Sequence, residues 1–168
     1  IIREHGLDAP ETMSRGIVFL DPFGLELDWR TLEAIARTKK LDCFIWVAIM
    51  GVLRNAPRDA SKIKDTNAKA LTRFLGTSEW QNEFYSATER QMSLFPDAPS
   101  SKMRANWERV AQWITKRLSQ EFAGGALGPK IFYHRNTPLF AFYLTISNPS
   151  ERAKKLARRF FETITRRT

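Results

Sequence analysis

Two short apolar runs joined by a capped amphipathic segment constrain this chain more than any other feature. Gly16-Ile17-Val18-Phe19-Leu20 is apolar throughout and stops at Asp21-Pro22-Phe23-Gly24. Cys43-Phe44-Ile45-Trp46-Val47-Ala48-Ile49 is a second such run. A continuous apolar run of this length, bounded by turn residues, reads as a buried strand of the kind found in parallel sheets. Between the two runs Asp28 stands where an N-cap belongs, and Leu32, Ile35 and Ala36 fall on one face of a helix over Trp29 to Lys40. Strand, helix and strand make one crossover, which predicts two adjacent parallel strands with the helix on one face of their sheet.

The remainder alternates differently. Gly51 to Pro57 reads as the loop after the second strand, and residues 59–66 are polar. Lys69 to Leu75 has a short helical pattern through Leu71 and Leu75. Thr77 or Ser78 can cap a further helix carrying Trp80, Phe84 and Tyr85. Pro96 to Ser101 reads as a loop, and Met103 to Phe122 as a long helix ended by Gly124, Gly125, Gly128 and Pro129. Lys130 to His134 and Leu139 to Ile146 are aromatic-rich strands around a four-residue Arg135–Pro138 loop, the pattern of a hairpin. Asn148-Pro149-Ser150 then opens a last helix. Its stripe of Ala153, Leu156, Ala157, Phe160, Phe161 and Ile164 is expected to pack on the sheet, with Arg152, Lys155, Arg158, Arg159 and Arg166 off it. The expected organisation is a single domain over 1–168 with a helical insertion at about 60–125.

Charge and cysteine usage narrow the function classes. The 27 Lys and Arg against 18 Asp and Glu give a formal charge of +9, which attracts polyanions, nucleic acid first. Cys43 is the only cysteine, so an internal disulfide and a thiolate metal cluster within the chain are excluded. The longest near-apolar run, Cys43 to Leu53, falls short of the roughly 20 residues that span a bilayer, so no membrane partner is expected. Ile1-Ile2-Arg3-Glu4-His5-Gly6 lacks the apolar core of a secretory signal, and a cytoplasmic location is expected. There is no nucleophile–base triad, Walker-type loop, spaced His/Cys set or Gly-x-Gly-x-x-Gly motif; Gly124 to Gly128 follows a helix and precedes a strand, the reverse of a dinucleotide loop.

A parallel sheet closed by an antiparallel hairpin resembles the C-terminal half of the Rossmann-like class I methyltransferase sheet. Residues at the carboxyl ends of parallel strands line the ligand edge of such sheets. Asp21-Pro22-Phe23-Gly24 stands there and resembles the Asp/Asn-Pro-Pro-aromatic motif of amino-methyltransferases, with the second Pro missing and the aromatic one place early. On that reading Asp21 accepts a hydrogen bond from a target amine and Phe23 stacks on the base, with Pro22 and Gly24 also binding substrate. The alternative is an ordinary Asp-Pro-x-Gly turn. Arg54, Asn55 and Arg58 follow the second strand and suit a phosphate-bearing substrate, or form a solvated loop. Asp28 reads as a helix cap, and His134, beside the hairpin loop and without an acidic partner, as structural.

Val18-Phe19-Leu20-Asp21-Pro22-Phe23-Gly24 followed by Asp28-Trp29-x-Thr31-Leu32-x-Ala34-Ile35-Ala36-x-Thr38-Lys39 resembles the three-Cys-motif partner protein (TcmP) family. Gly51-x-x-Arg54-Asn55-x-Pro57-Arg58-Asp59, Gly76-x-x-x-Trp80 and Asn148-Pro149 agree with it, so the likeness spans about residues 16–160. The resemblance implies a class I fold, S-adenosylmethionine as cofactor and a three-cysteine-motif protein as partner. Its donor-binding loop would lie in a first half that these residues do not contain. Two functions follow as expectations. One is a methyltransferase-like protein acting on nucleic acid, in a mobile-element or defence setting. The other is a catalytically inactive adaptor of the same fold that binds its partner protein or nucleic acid. A half-sheet of this kind is expected to expose an unpaired edge or apolar face on its first strand.

Overall fold

Among the described residues four strands form one mixed sheet. The structure is a computed structural model that describes residues 14–85 and 104–166. β1 (Gly16–Leu20) runs parallel to β2 (Leu41–Ala48), in a register that sets Phe19 beside Phe44. The crossover between them is α1 (Trp29–Thr38), where the Asp28 carboxylate accepts from the Arg30 N–H and Lys39 ends the helix in the left-handed region. This is the βαβ unit that the sequence predicts.

The second apolar run extends further than a strand. β2 ends at Ala48 and continues directly into α2 (Ile49–Asn55), so the loop expected over Gly51 to Pro57 is a helix for most of its length. Ile49 and Val52, three residues apart, bury one side of it completely. A short 3-10 turn (Ala60–Lys62) capped by Asp59 leads to α3 (Asp65–Leu75) and α4 (Trp80–Phe84). α5 (Trp107–Glu121) starts where the Asn106 side chain accepts from the Arg109 N–H. The expected loop at Pro96–Ser101, the expected helix start at Met103, and His5 all lie outside the described residues.

The hairpin of β3 (Ala126–His134) and β4 (Thr137–Thr145) turns on two residues, Arg135 and Asn136, rather than the four expected. Arg135 occupies the left-handed region at φ 53°, which lets the strands pair up to His134 and Thr137. β4 inserts between β3 and β2, antiparallel to both, with Cys43 opposite Thr145 and Ala48 opposite Phe140. At the amino edge Asp42 accepts from the Ser147 N–H at 2.7 Å and the Ser147 hydroxyl donates to the Leu41 carbonyl, which fastens the end of β4 to the start of β2.

The two faces of the sheet are covered unequally. Leu41, Cys43, Ile45 and Val47 face the larger core, shared with Trp29, Leu32 and Ile35 of α1 and with α2 to α5. Tyr143 is buried on this face and donates its hydroxyl to the Ala111 carbonyl at 3.0 Å. The opposite face carries Phe44, Trp46, Phe142, Leu144, Leu127 and Phe132, and among the described residues α6 (Glu151–Arg166) is the one helix on it. Phe161 stacks on Phe142 at 5.8 Å between centroids, and Lys130 reaches the Thr165 carbonyl at 2.9 Å. The α6 stripe is therefore not covered along its whole width, as the sequence reading expected. Phe161 is buried and Ala153, Ala157 and Ile164 are half-buried, but Leu156 and Phe160 are 68% and 49% exposed.

Candidate functional site at the carboxyl edge of the sheet

The carboxyl ends of β1 and β2 lie on the same edge, because the strands are parallel. The β3–β4 hairpin turn joins them there, because β4 runs antiparallel to β2. Asp21 follows β1 immediately. The turn beyond it closes between Phe23 and Glu26, whose N–H donates to the Phe23 carbonyl at 3.1 Å. Gly24 takes φ 58°, a left-handed value that favours glycine. The Asp-Pro-x-Gly turn is thus displaced by two residues from the phase that the dipeptides suggest. The displacement leaves the Asp21 carboxylate exposed, and among the described residues it takes part in no hydrogen bond and no ion pair. Phe23 is 85% exposed. Pro22 and Gly24 are half-buried and hold these two side chains on a short tether.

The residues after β2 are committed to differing degrees. Arg54 lies exposed in the last turn of α2, with its Nε 3.4 Å from the Met50 carbonyl. The Asn55 amide donates to the Gly51 carbonyl at 2.8 Å, so it is spent on the end of its own helix. Arg58 is exposed in the segment that follows. Among the described residues no hydrogen bond or ion pair joins the Asp21–Gly24 turn to Arg54, Asn55 or Arg58. His134 is exposed at the end of β3, and Asp28 is spent on its cap.

The sequence reading missed Arg104 and took Tyr85 only as a helix residue. The Arg104 N–H donates to the Arg58 carbonyl at 2.6 Å, and the Tyr85 hydroxyl donates to the Pro57 carbonyl, also at 2.6 Å. Burial lowers the pKa of the Arg104 guanidinium; Tyr85 opposes this and Arg58 adds to it. Burial pushes the Tyr85 phenol up to about 12. No spacing in the sequence joins these segments; only the fold brings Arg104 against Arg58.

A groove of about 730 Å³ opens between α1 and α3, lined in part by Asp28, Arg30, Glu33, Asp65, Lys69 and Arg73. Its charges are mixed, and none of the expected site residues lines it. No group of acidic, His or Cys residues among the described residues is arranged to hold a metal ion. No helix among them is long and apolar enough to cross a membrane. Comparison with protein-family models, with curated proteins and with solved structures returns no match.

Proposed function

We propose that these residues form the acceptor side of a methyltransferase-like protein acting on nucleic acid. The observation that carries this reading is the Asp21–Phe23 pair. It places a carboxylate with no hydrogen-bond or ion-pair partner among the described residues two residues from a ring that is 85% exposed, at the carboxyl edge of a parallel strand pair. A carboxylate so placed can accept a hydrogen bond from an exocyclic amine, and an exposed ring can stack on the base that carries it. Arg54 and Arg58 supply cations for the phosphates, in a chain of formal charge +9. The strand order β1-β2-β4-β3, with an antiparallel strand inserted beside the parallel pair, supports the likeness to the second half of a Rossmann-like class I sheet.

The glycine-rich loop that would hold S-adenosylmethionine, the cofactor that the TcmP resemblance implies, is not among the described residues. The strand-to-helix turn after β1 contains only one glycine, Gly24, and α1 begins with its Arg30 N–H taken by Asp28. No donor contact is assigned to these residues, and no step is derived through the donor. The adaptor reading, in which the fold docks a three-cysteine-motif protein or nucleic acid without catalysis, draws support from the uncovered apolar surface of β1 and α6.

The test is binding of single-stranded oligonucleotides carrying 2-aminopurine, followed by fluorescence and anisotropy. Phe23→Ala should weaken binding by roughly tenfold, the scale of one lost base–ring stack. Asp21→Ala should erase a preference for adenine or cytosine over thymine, and Asp21→Asn, which keeps an acceptor oxygen, should retain part of it. Wild-type protein that binds no oligonucleotide, or a folded Phe23→Ala variant that binds unchanged, would remove the site.

A further inference from the structure

The face of the sheet under α6 is left open on one side. Ile17 and Phe19 of β1 point to this face and are 57% and 71% exposed. Phe19 and Phe142 stack on Phe44 at 5.0 and 5.4 Å, and Phe160 of α6 lies tilted 6.1 Å from the same ring. Phe44 is 2% exposed, while Phe19 and Phe160, two of the three rings around it, face solvent. Leu156 precedes Phe160 by one helical turn, so it extends the same edge of α6. The four side chains form a step, with β1 as its floor and the flank of α6 as its wall. Among the described residues β1 is an edge strand, paired with β2.

The height of the step selects the occupant. A helix packed on a sheet stands about 10 Å above it, and neighbouring helices lie about 8–10 Å apart. One helix beside α6 therefore covers Ile17 and Phe19 from above and Leu156 and Phe160 from the side. A flat lipid surface resting on the crest of α6 would not reach the floor. Charge selects the flanks of that helix. Arg152, four residues before Leu156, and Arg159, beside Phe160, are exposed and form no ion pair among the described residues. Lys155 and Arg158 extend the same cationic rim. A second copy would bring this rim against its own like, in a chain of charge +9.

We infer that Ile17, Phe19, Leu156 and Phe160 are a docking surface for an amphipathic protein helix whose apolar stripe is flanked by carboxylates. The surface includes neither Asp21 nor Phe23, so variants of those two residues separate the test of this inference from that of the nucleic-acid site.

Two labelled synthetic helices of about 18 residues test this, equal in length and leucine stripe and flanked by Glu in one and Lys in the other. Fluorescence anisotropy should show the protein binding the Glu-flanked helix at least about tenfold more tightly than the Lys-flanked one. Phe19→Ser and Leu156→Ser should each abolish that binding, and the pair Arg152→Glu, Arg159→Glu should reverse the preference. Both apolar positions are exposed, and circular dichroism checks that each variant keeps its fold. Asp21→Ala and Phe23→Ala should leave helix binding unchanged. Equal binding of the two helices, or binding that survives Phe19→Ser, overturns the inference. So does a dimer in sedimentation that Phe19→Ser dissolves, which assigns the face to a second copy. Binding to phosphatidylserine vesicles that needs Phe19, with neither helix bound, overturns it in favour of lipid.

Discussion

The indole of Trp29 occupies the space in which Gly76 would carry a side chain. A Cβ built on Gly76 would overlap Cγ and Cδ1 of that ring, and Gly76 ends α3 at φ 71°. Trp29 is itself held by two further contacts: Nε1 donates to Glu121 at 3.2 Å, and the Arg117 guanidinium lies 5.0 Å from the ring centroid. The ring cannot retreat without breaking these contacts. Gly76→Ala should therefore cost roughly 2–4 kcal/mol, from left-handed strain and overpacking together. Gly24 also has a positive φ, but open space surrounds it, and Gly24→Ala should cost only about 1 kcal/mol. Chemical denaturation of the two variants makes the comparison, and equal losses would contradict the packing argument.

The two edges of the α6 stripe should respond differently to truncation. Phe161→Ala removes a buried ring stacked on Phe142 and should cost roughly 3 kcal/mol. Leu156→Ala removes a side chain that is mostly in solvent and should change stability by less than about 0.5 kcal/mol. The readout is the urea midpoint at constant slope.

Stability should fall in alkali. Burial, then Asp42, raises the Cys43 thiol from 9.0 to about 12, and burial raises the Tyr85 phenol from 10.0 to about 12. Both groups stay protonated in the folded chain at pH values where the unfolded chain has lost the proton. Their contribution is complete below pH 9 and is lost as pH rises toward 12. Cys43→Ala should flatten the curve from pH 9 upward, at some cost in packing. The same burial predicts that an aromatic disulfide reagent modifies native Cys43 only at the rate of unfolding.

Arg54→Ala together with Arg58→Ala should reduce the slope of log affinity against log salt for nucleic acid by about 1–2, since each lost phosphate contact releases about one counterion fewer. Both side chains are exposed, so the thermal midpoint should hardly move. Filter binding across a salt series measures the slope, and an unchanged slope would remove both arginines from the interface.

The βαβ unit and the hairpin are legible in the sequence because each has its own punctuation: Asp28 before the α1 stripe, and aromatic strands around Arg135-Asn136. The end of β2 is not legible. Ile49 to Leu53 prolongs the apolar run, and hydropathy alone does not mark where a strand period of two becomes a helical period. The hairpin loop looks longer than it is because Arg135 takes a left-handed conformation that asparagine or glycine would have announced. Amphipathy reveals the α6 stripe but not how wide its support is, which depends on how far β1 lies from the helix. At the candidate site the position of Asp21 follows from the strand end. Its freedom does not, because it depends on the turn closing at Phe23 and Glu26. The neighbour of Arg58 is set by a contact between distant segments and could be read only from the fold.

The insertion of β4 beside β2 has a consequence for how the protein is made. Thr145 bonds to Cys43 across 102 residues of chain. A ribosome adding about 5–20 residues per second needs roughly 5–20 s to supply that partner. For much of that interval β2 stands outside the ribosome with one edge bare and with Phe44 and Trp46 uncovered by α6, which is synthesised after β4. The nascent chain thus passes through a period in which its central strand is open to pairing with neighbours on the same polysome. Slow codons or a holding chaperone would matter most between the synthesis of α2 and that of β4.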